Sequence, residues 1–399
     1  MNPRRFSPTA RRALASFVAA LVVTAAPSRG DSPASKLYAA GDFTKAAAAY
    51  AAALDANPHD LDAELKLGAL RLYANDITDA EPLLEDVVAA QPANAEASRL
   101  LGEARRRRAE ADRRTTVGGA FAVVPFVRSA PLPVVRVMAN GTAANFIVDT
   151  GASVALEPEF ATRIGVKIQT AGVGHFAGGK QAPISRGSLA SLALGSATAY
   201  DVPVIVHATH AGELFGGKLH IDGIVGTTFF ERFLATIDYS HARLVLRPRS
   251  KQVSAAFESA AQSAGAAVVP CWLVGDHFVF ARAQVNGAAP GLFVFDSGLA
   301  GAGLMPTKAL VDAAHVKFDE RGAGSGIGGG GAVKFIPFVA RSIAVGTAVQ
   351  HDIPGSYTPE GTPFGIFPFT VWGAISGDFL KHYAYTVDFD AMKLVLQPK

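Results

Sequence analysis

The sequence has few of the residues and motifs that directly indicate a disulfide-stabilised fold or a cysteine or serine nucleophile. Cys271 is the only cysteine among 399 residues, so no disulfide forms within the chain and its domains depend on their apolar cores. A catalytic cysteine is not supported either, because Pro270 and Trp272 flank Cys271 in a strand-like run without a nucleophile motif. No G-x-S-x-G segment occurs, so a serine hydrolase of the nucleophile-elbow type has no support.

Charged residues make up only 18% of the chain, and the formal charge of +3 is concentrated at one end. Five arginines lie within the first 30 residues, which contain no acidic residue: Arg4, Arg5, Arg11, Arg12 and Arg29. The remainder is slightly acidic, so a nucleic-acid partner is not expected. The internal basic run Arg105–Arg108 alternates with acidic residues and is predicted to form a solvated helix face.

Residues 1–30 have the pattern of an export signal. Arginines precede the apolar run Ala13–Ala26, and Pro27 and small residues follow it. The run is shorter than the roughly 20 apolar residues that a membrane span needs. We therefore expect cleavage after Ala26 or Gly30 and an exported bacterial protein, periplasmic or secreted. An uncleaved membrane anchor is the alternative.

Residues 33–114 show a helical pattern that repeats every 34 residues. Gly41-Asp42-Phe43 recurs as Asn75-Asp76-Ile77, and Leu67-Gly68 recurs as Leu101-Gly102. The pattern resembles the tetratricopeptide repeat, in which small residues stand where paired helices touch. We predict two repeats followed by a solvating helix from Ala95 to about Arg114. Two roles stay open for this segment: a groove that binds a partner protein, or a spacer that also allows self-association.

After Thr116 the sequence changes to short alternating strands joined by glycine-rich turns, and this region is itself a repeat. The segment TIDYSHARLVLRP (Thr236–Pro248) aligns without a gap with TVDFDAMKLVLQP (Thr386–Pro398), 150 residues later. An Asn-Gly hairpin signal occurs upstream in each half, at Asn140-Gly141 and Asn286-Gly287. We predict two equivalent β lobes, over residues 117–248 and 266–399.

Each half contains an aspartate that directly follows an apolar strand. Asp149 stands in FIVDTGAS and Asp296 stands in LFVFDSGLAG, and in both a hydroxyl residue and a glycine follow. An ionised carboxylate at the end of a buried strand is unfavourable without a partner. Its duplication in matching surroundings predicts that the two carboxylates meet. Two carboxylates that share one proton can activate water for peptide hydrolysis. The alternative is a structural aspartate satisfied by turn amides in each lobe.

These residues give both halves a resemblance to retropepsin-type aspartic protease domains, over roughly residues 117–399. The resemblance is carried by the DTGA and DSGL boxes, a glycine-rich flap position after each, and the closing strands IDGIVGTTFF and WGAISGDFL. It implies a mainly β, bilobal fold in which two closed β domains pair about a pseudo-twofold axis. The helical repeats precede this region. A single chain supplies both halves, as in pepsin-like enzymes, so a monomer suffices.

The resemblance also implies a role for each residue of the boxes. Asp149 and Asp296 would be the catalytic pair, in which the ionised member takes a proton from water and the protonated member polarises the scissile carbonyl. Hydroxyl groups would hydrogen-bond across the lobe interface, and glycines would let backbone approach the carboxylates. These supporting residues are Thr150, Gly151, Ser297 and Gly298. No metal and no cofactor is called for.

The flap candidates are glycines of the segments GVGHFAGGK and GAGSGIGGGG: Gly172, Gly174, Gly178, Gly326 and Gly328. Flaps would close over an extended polypeptide that binds as an added strand. Gly324, Gly326 and Gly329 also satisfy GxGxxG, but an alternating strand pattern follows, which argues against a dinucleotide site. His207, His210 and His220 lack the Glu or Cys pattern of a metal site.

The two halves also differ in detail. Gly226 in the first closing strand aligns with Ser376 in the second. Gly301 and Gly303 follow the second aspartate box, which predicts a looser loop than in the first half. We expect an aspartic endopeptidase; the alternative is a noncatalytic peptide-binding scaffold that retains the fold. The intact Asp-Thr-Gly and Asp-Ser-Gly boxes favour the enzyme.

Overall fold

The structure, a computed structural model, describes residues 32–111, 113–176, 180–328 and 331–399. The predicted export signal, residues 1–30, lies outside the described residues. Within these ranges, no helix is both long enough and apolar enough to cross a membrane.

The first part of the described chain is a stack of consecutive helices. They are α1 (Pro33–Ala39), α2 (Phe43–Ala56), α3 (Leu61–Tyr73), α4 (Ile77–Ala90) and α5 (Ala95–Ala111). The small residues of the repeat stand at the helix contacts, as at Gly68, where an added Cβ would lie 3.0 Å from the side chain of Leu84 on α4. A larger residue at this position would push α3 and α4 apart.

The β region begins with a first lobe, which contains a long hairpin and two short helices. Its strands are β1 (Thr115–Val117), β2 (Ala122–Arg128), β3 (Val134–Ala139), β4 (Thr142–Asp149), β5 (Ala155–Leu156), β6 (Gln169–His175), β7 (Gln181–Leu194), β8 (Ala197–Val206), β9 (Gly223–Gly226), β10 (Phe233–Asp238) and β11 (Arg243–Pro248). Its helices are α6 (Pro158–Arg163) and α7 (Thr227–Phe230).

Helix α8 (Lys251–Ser263) connects this lobe to the second. The second lobe has the strands β12 (Ala267–Val274), β13 (Phe278–Val285), β14 (Gly291–Asp296), β15 (Leu304–Pro306), β16 (Gly324–Gly328), β17 (Gly331–Val345), β18 (Ala348–Tyr357), β19 (Gly373–Ser376), β20 (Tyr383–Asp388) and β21 (Lys393–Pro398). Its helices are α9 (Lys308–Ala313) and α10 (Gly377–Leu380).

The second lobe repeats the strand pairings of the first. Strand β4 pairs in parallel with β9, and β5 pairs antiparallel with β9; β14, β15 and β19 repeat this arrangement. The Asn-Gly turns also match, because Asn140 and Asn286 both have positive φ and a positive-φ glycine follows each. This is the backbone of a type I′ hairpin, which fixes the register of the strand that leads to each aspartate.

A six-stranded sheet joins the lobes, in the order β2-β11-β10-β20-β21-β12. Its central pair is β10 and β20, antiparallel, with Thr236 directly opposite Thr386. These two residues are equivalents in the 150-residue repeat, so the pseudo-twofold axis passes between them. One continuous apolar core extends through both lobes and this sheet. The predicted fold class, a helical segment followed by a mainly β region, is confirmed.

The helical segment packs on the outer face of the second lobe. Phe369 is inserted among aromatic rings of the helices, with its ring centroid 4.9 Å from Phe43, 6.0 Å from Tyr38 and 6.2 Å from Tyr73. The backbone amide of Thr370 donates to the carbonyl of Ala39 at 2.7 Å. The aromatic face of the repeats is therefore covered by the chain's own second lobe.

The prediction that the basic run on α5 is a solvated face is wrong at one position. Arg105 and Arg108 are exposed, but the side chain of Arg107 is only 3% exposed. It faces the second lobe, where its guanidinium donates to the backbone carbonyls of Leu273 and Gly275. Backbone carbonyls of another domain can accept hydrogen bonds from a buried guanidinium, and the sequence pattern of α5 alone does not reveal such acceptors. Helix α5 ends at Ala111, close to the predicted end.

Candidate active site

Two parallel strand pairs deliver the aspartates to the junction of the lobes. Asp149 is the last residue of β4 and lies opposite Gly226 of β9; Asp296 ends β14 and lies opposite Ser376 of β19. The residues before each aspartate are buried, which explains their continuous apolar sequence. Each strand ends at its aspartate, whose side chain lies between the lobes.

The hydroxyl residues after the aspartates exchange hydrogen bonds across the interface. The amide of Thr150 donates to Ser297 Oγ at 3.0 Å, and the amide of Ser297 donates to Thr150 Oγ1 at 3.0 Å. Thr150 Oγ1 donates in turn to the carbonyl of Phe295, and Ser297 Oγ donates to the carbonyl of Val148. Both side chains are buried. This reciprocal set fixes the two aspartate loops relative to each other.

Glycine follows each hydroxyl residue because the opposite carboxylate occupies the space of a side chain. A Cβ on Gly151 would lie 2.3 Å from Asp296 Cγ, and a Cβ on Gly298 would lie 2.2 Å from Asp149 Cγ. Each glycine amide also donates to its own aspartate, Gly151 to Asp149 at 2.8 Å and Gly298 to Asp296 at 2.7 Å. The two carboxylates are therefore brought together by the backbone of both loops.

Both aspartates have a raised pKa, and burial is the largest cause for each. The pKa of Asp149 is raised further by the charge of Asp296. For Asp296 the rise is opposed by the amide of Gly298, by a hydrogen bond with Asp149 and by the charge of His277. The pair therefore shares one proton, since two adjacent carboxylates cannot both ionise.

The support beneath the loops differs between the lobes. In the first lobe, a Cβ on Gly226 would lie 2.1 Å from the carbonyl oxygen of Ala152, and Thr227 Oγ1 donates to the carbonyl of Thr150 at 2.8 Å. In the second lobe the supporting hydroxyl belongs to Ser376, the equivalent of Gly226 and one position before the equivalent of Thr227. Ser376 donates to the carbonyls of Asp296 and Leu299. The Gly226–Ser376 difference is thus a change in which residue supports the loop.

The second aspartate loop is not looser at Gly303, contrary to the sequence prediction. A Cβ at Gly303 would lie 2.4 Å from Ile353 Cγ2 and 2.7 Å from the amide nitrogen of Phe379. Glycine is needed there because strand β18 and helix α10 approach closely. Gly301 has a φ of +71°, the left-handed region that favours glycine.

Four of the five glycines proposed for the flaps lie in two long hairpins, β6–β7 and β16–β17. Gly172 has a φ of +118° beside a register shift in β6, and Gly174 is packed by Ile184 and Phe176. Gly326 and Gly328 lie in β16, where they pair with Val333 and Gly331. Gly178 lies outside the described residues. Gly324 and Gly326 of the GxGxxG match are in a strand, unlike those of a dinucleotide site.

The three histidines singled out in the sequence have separate partners. His207 Nδ1 contacts the carbonyl of Ala208, His210 contacts Glu213, and His220 contacts Asp222. In the described ranges, no three residues among histidine, cysteine, aspartate and glutamate are grouped to hold a metal ion.

One group beside the dyad has no sequence signal. His277, in the turn between β12 and β13, contacts Asp276 through Nδ1 at 2.5 Å and Ser153 Oγ at 3.3 Å. Ser153 follows the Asp149 loop in the other lobe. No local motif marks these residues, because their contact joins positions 124 apart in sequence.

Comparisons with known proteins agree with part of this description. Residues 135–229 match the family model described as aspartyl protease, and residues 37–104 match the tetratricopeptide repeat model. A retropepsin-like aspartic protease from Rickettsia conorii, known from a crystal structure, is 25% identical over 34% of this chain and 96% of its own, with a TM-score of 0.26. No curated protein matches the chain. Residues 135–229 are thus similar to aspartyl protease domains, and residues 37–104, which precede them, are similar to tetratricopeptide repeats.

Proposed function

We propose that the chain is an aspartic endopeptidase that contains both halves of its active site. The observation that carries the proposal is the meeting of Asp149 and Asp296, each against a glycine of the opposite loop. Burial raises the pKa of both aspartates, and the charge of Asp296 raises the pKa of Asp149 further, which favours a proton shared by the two carboxylates.

The shared proton gives the two aspartates different roles. The ionised member takes a proton from a water held between the carboxylates while that water attacks the scissile carbonyl carbon. The protonated member gives its proton to the carbonyl oxygen, which produces a tetrahedral diol. As the C–N bond breaks, the first carboxyl returns its proton to the leaving nitrogen and the second takes one back from a diol hydroxyl. The carboxylates end in their starting states.

The substrate in this proposal is an extended polypeptide. The hairpins β6–β7 and β16–β17 offer backbone donors and acceptors to such a chain, and strand addition is independent of side-chain sequence. A folded substrate would have to open locally to bind. Both lobes belong to one chain, so a monomer is sufficient.

Export to the periplasm or the medium is part of the proposal and rests on the sequence of residues 1–30. Fractionation of producing cells, with N-terminal sequencing of the mature protein, tests it. A mature N-terminus after Ala26 or Gly30 in the exported fraction is the expected result; an intact Met1 in the cytosol would contradict it.

The decisive experiment is cleavage of an unfolded protein such as casein between pH 3 and pH 8. It compares the mature chain with Asp149→Asn and Asp296→Asn, with Asp86→Asn on α4 as a matched control outside the lobes. We expect both dyad variants to lose activity and the control to keep it. Activity that survives both substitutions would rule out the dyad. A mature protein that binds casein but never cleaves it would favour the noncatalytic scaffold.

A further inference from the structure

Helix α5 of the repeats reaches the interior of the second lobe through one arginine. Arg107 donates to the carbonyl of Leu273 at 2.9 Å and to the carbonyl of Gly275 at 2.6 Å. The same guanidinium donates to the carbonyl of Leu72 on α3 at 2.9 Å and pairs with Glu103 on α5. It therefore ties the helical stack to the turn between β12 and β13.

That turn extends from the second lobe to the first. Gly275 has a φ of +67°, and the next two residues are Asp276 and His277. His277 Nδ1 lies between Asp276 Oδ1, at 2.5 Å, and Ser153 Oγ, at 3.3 Å. Ser153 is only 5% exposed and lies four residues after Asp149. The turn thus contacts the loop that carries the first aspartate.

The other end of α5 is attached to the first lobe. Arg232, two residues after the end of α7, donates to Glu110 Oε2 at 2.7 Å, and both side chains are buried. Arg113, just beyond the helix, donates to the carbonyl of Asp201. One helix of the repeats is therefore bonded to both lobes, close to where they meet.

We propose that α5 is a brace of the catalytic cleft, in which Arg107 and His277 are positioning residues for the Asp149 loop. Arg107 holds the β12–β13 turn, and His277 at the end of that turn holds Ser153. The inference rests on the proposed function in the sense that the positioned group is the dyad. It gives the repeats a role within the protease itself, separate from any partner they bind.

Charged groups around the turn fit this role. His277 faces two acidic groups, Asp276 and Asp296, and its charge lowers the pKa of each. Arg106 of α5 lies near Asp276. Burial disfavours the ionised form of Asp276, but His277, Arg106 and a hydrogen bond from Ser153 hold its pKa well below the usual range. Asp276 is thus ionised and fixes the ring of His277 at Nδ1.

Substitutions on α5 test the brace. Arg107→Met removes the bonds to the turn and keeps the aliphatic stem, Arg107→Lys keeps a donor, and Arg105→Met is the matched control. Arg105 is exposed and pairs with Glu81 and Glu85 inside the repeats. We expect Arg107→Met to lower kcat about 10- to 100-fold with little change in KM, because a misplaced catalytic group slows the chemical step. Lysine should rescue part of this loss, and Arg105→Met should behave as the unmutated protein.

Substitutions of His277 test the far end of the brace, at a partly exposed position where loss of folding is not expected. Asparagine places an amide near the position of Nδ1, whereas alanine leaves Ser153 and Asp276 without this contact. We expect His277→Ala to lower kcat at least tenfold and His277→Asn to retain more of it. The acidic limb of the pH profile should move to higher pH in both, because the charge that lowers the pKa of Asp296 is removed.

Hydrogen exchange provides a readout that does not need activity. In Arg107→Met, amides of residues 271–281 and 149–156 should exchange faster than in Arg105→Met, while strands β10 and β20 should be unchanged. A protein that cleaves casein normally after Arg107→Met, with unchanged exchange, would overturn the brace and leave the proposed function standing. A chain that never cleaves, but shows the exchange difference, would overturn the proposed function and leave the brace standing.

Discussion

The side-chain oxygens of Thr236 and Thr386 lie 2.7 Å apart at the centre of the sheet that joins the lobes. They are equivalent residues of the two halves and face each other across the pseudo-twofold axis. Arg247 also donates to Thr236 Oγ1, at 3.0 Å. The lobes therefore meet at a buried polar contact surrounded by apolar strands.

Replacing Thr386 with valine should weaken this contact without changing the shape of the side chain. The hydroxyl of Thr236 would lose one of its two partners, so we expect the free energy of unfolding to fall by about 1 kcal/mol. Urea denaturation measures this change. Thr162→Val, at an exposed threonine of α6, is the control and should have a smaller effect. Equal stability of Thr386→Val and the unmutated protein would show that the contact contributes nothing.

The dyad should lower stability at neutral pH. A carboxyl group whose pKa is raised by folding contributes stability below its unfolded pKa, and this contribution is lost as the pH rises through the folded pKa. Asp149→Asn should therefore be more stable than the unmutated protein at pH 7, and the difference should shrink towards pH 3. Each unit by which folding raises the pKa corresponds to about 1.4 kcal/mol. Thermal denaturation across this pH range measures the difference.

Asp238→Asn should change the stability at pH 7 in the opposite direction in the same experiment. Burial disfavours its ionised form, but hydrogen bonds from Ser240, His241 and Arg243 lower the pKa of Asp238 to about 2. Its contribution is present above the unfolded pKa and is lost as the pH falls through about 2. This variant should be less stable than the unmutated protein at pH 7. A shift of the same sign in both variants would contradict the description of the dyad.

A methyl group on the dyad glycines should abolish cleavage. In Gly151→Ala the new carbon would lie 2.3 Å from Asp296 Cγ, so either the carboxylate or the loop must move. We expect at least a 100-fold loss of kcat/KM, about the cost of misplacing a reacting group. Gly102→Ala on α5 is the control, since no atom lies within 4 Å of its new carbon. Full activity in Gly151→Ala would show that the loops are not as close as described.

Phe369 should be the main anchor between the repeats and the second lobe. Its replacement by alanine opens a cavity among Tyr38, Phe43 and Tyr73, and truncation of a buried phenylalanine costs about 3–5 kcal/mol. We expect the helical segment to unfold before the lobes in this variant, giving two transitions in urea. Ile366→Ala, at a position that is 57% exposed, should keep the unmutated behaviour. A single transition at unchanged urea concentration would contradict an anchoring role.

Local, repeated patterns account for what the sequence predicted well. The apolar strand before Asp149 recurs before Asp296, and the Asn-Gly turns recur with it, so both strands and their hairpins were recognisable. The helices followed from the 34-residue period. His277 and Arg107 were not recognisable, because each acts through contacts with backbone or side chains more than 100 positions away. The sequence around Gly303 does not reveal its close packing either, since its neighbours Ile353 and Phe379 are distant in sequence.

The central pairing of β10 with β20 also sets the order of events during synthesis. Strand β20 comes after both aspartate strands and both long hairpins, so the edge of β10 that does not pair with β11 stays unpaired until residue 388 has been made. An unpaired edge is a site for association with other chains, which gives chaperones a defined strand to protect. Because Asp296 meets Asp149 only when the lobes join, a nascent chain has no assembled dyad, and under the proposed function it cannot yet cleave the proteins around it.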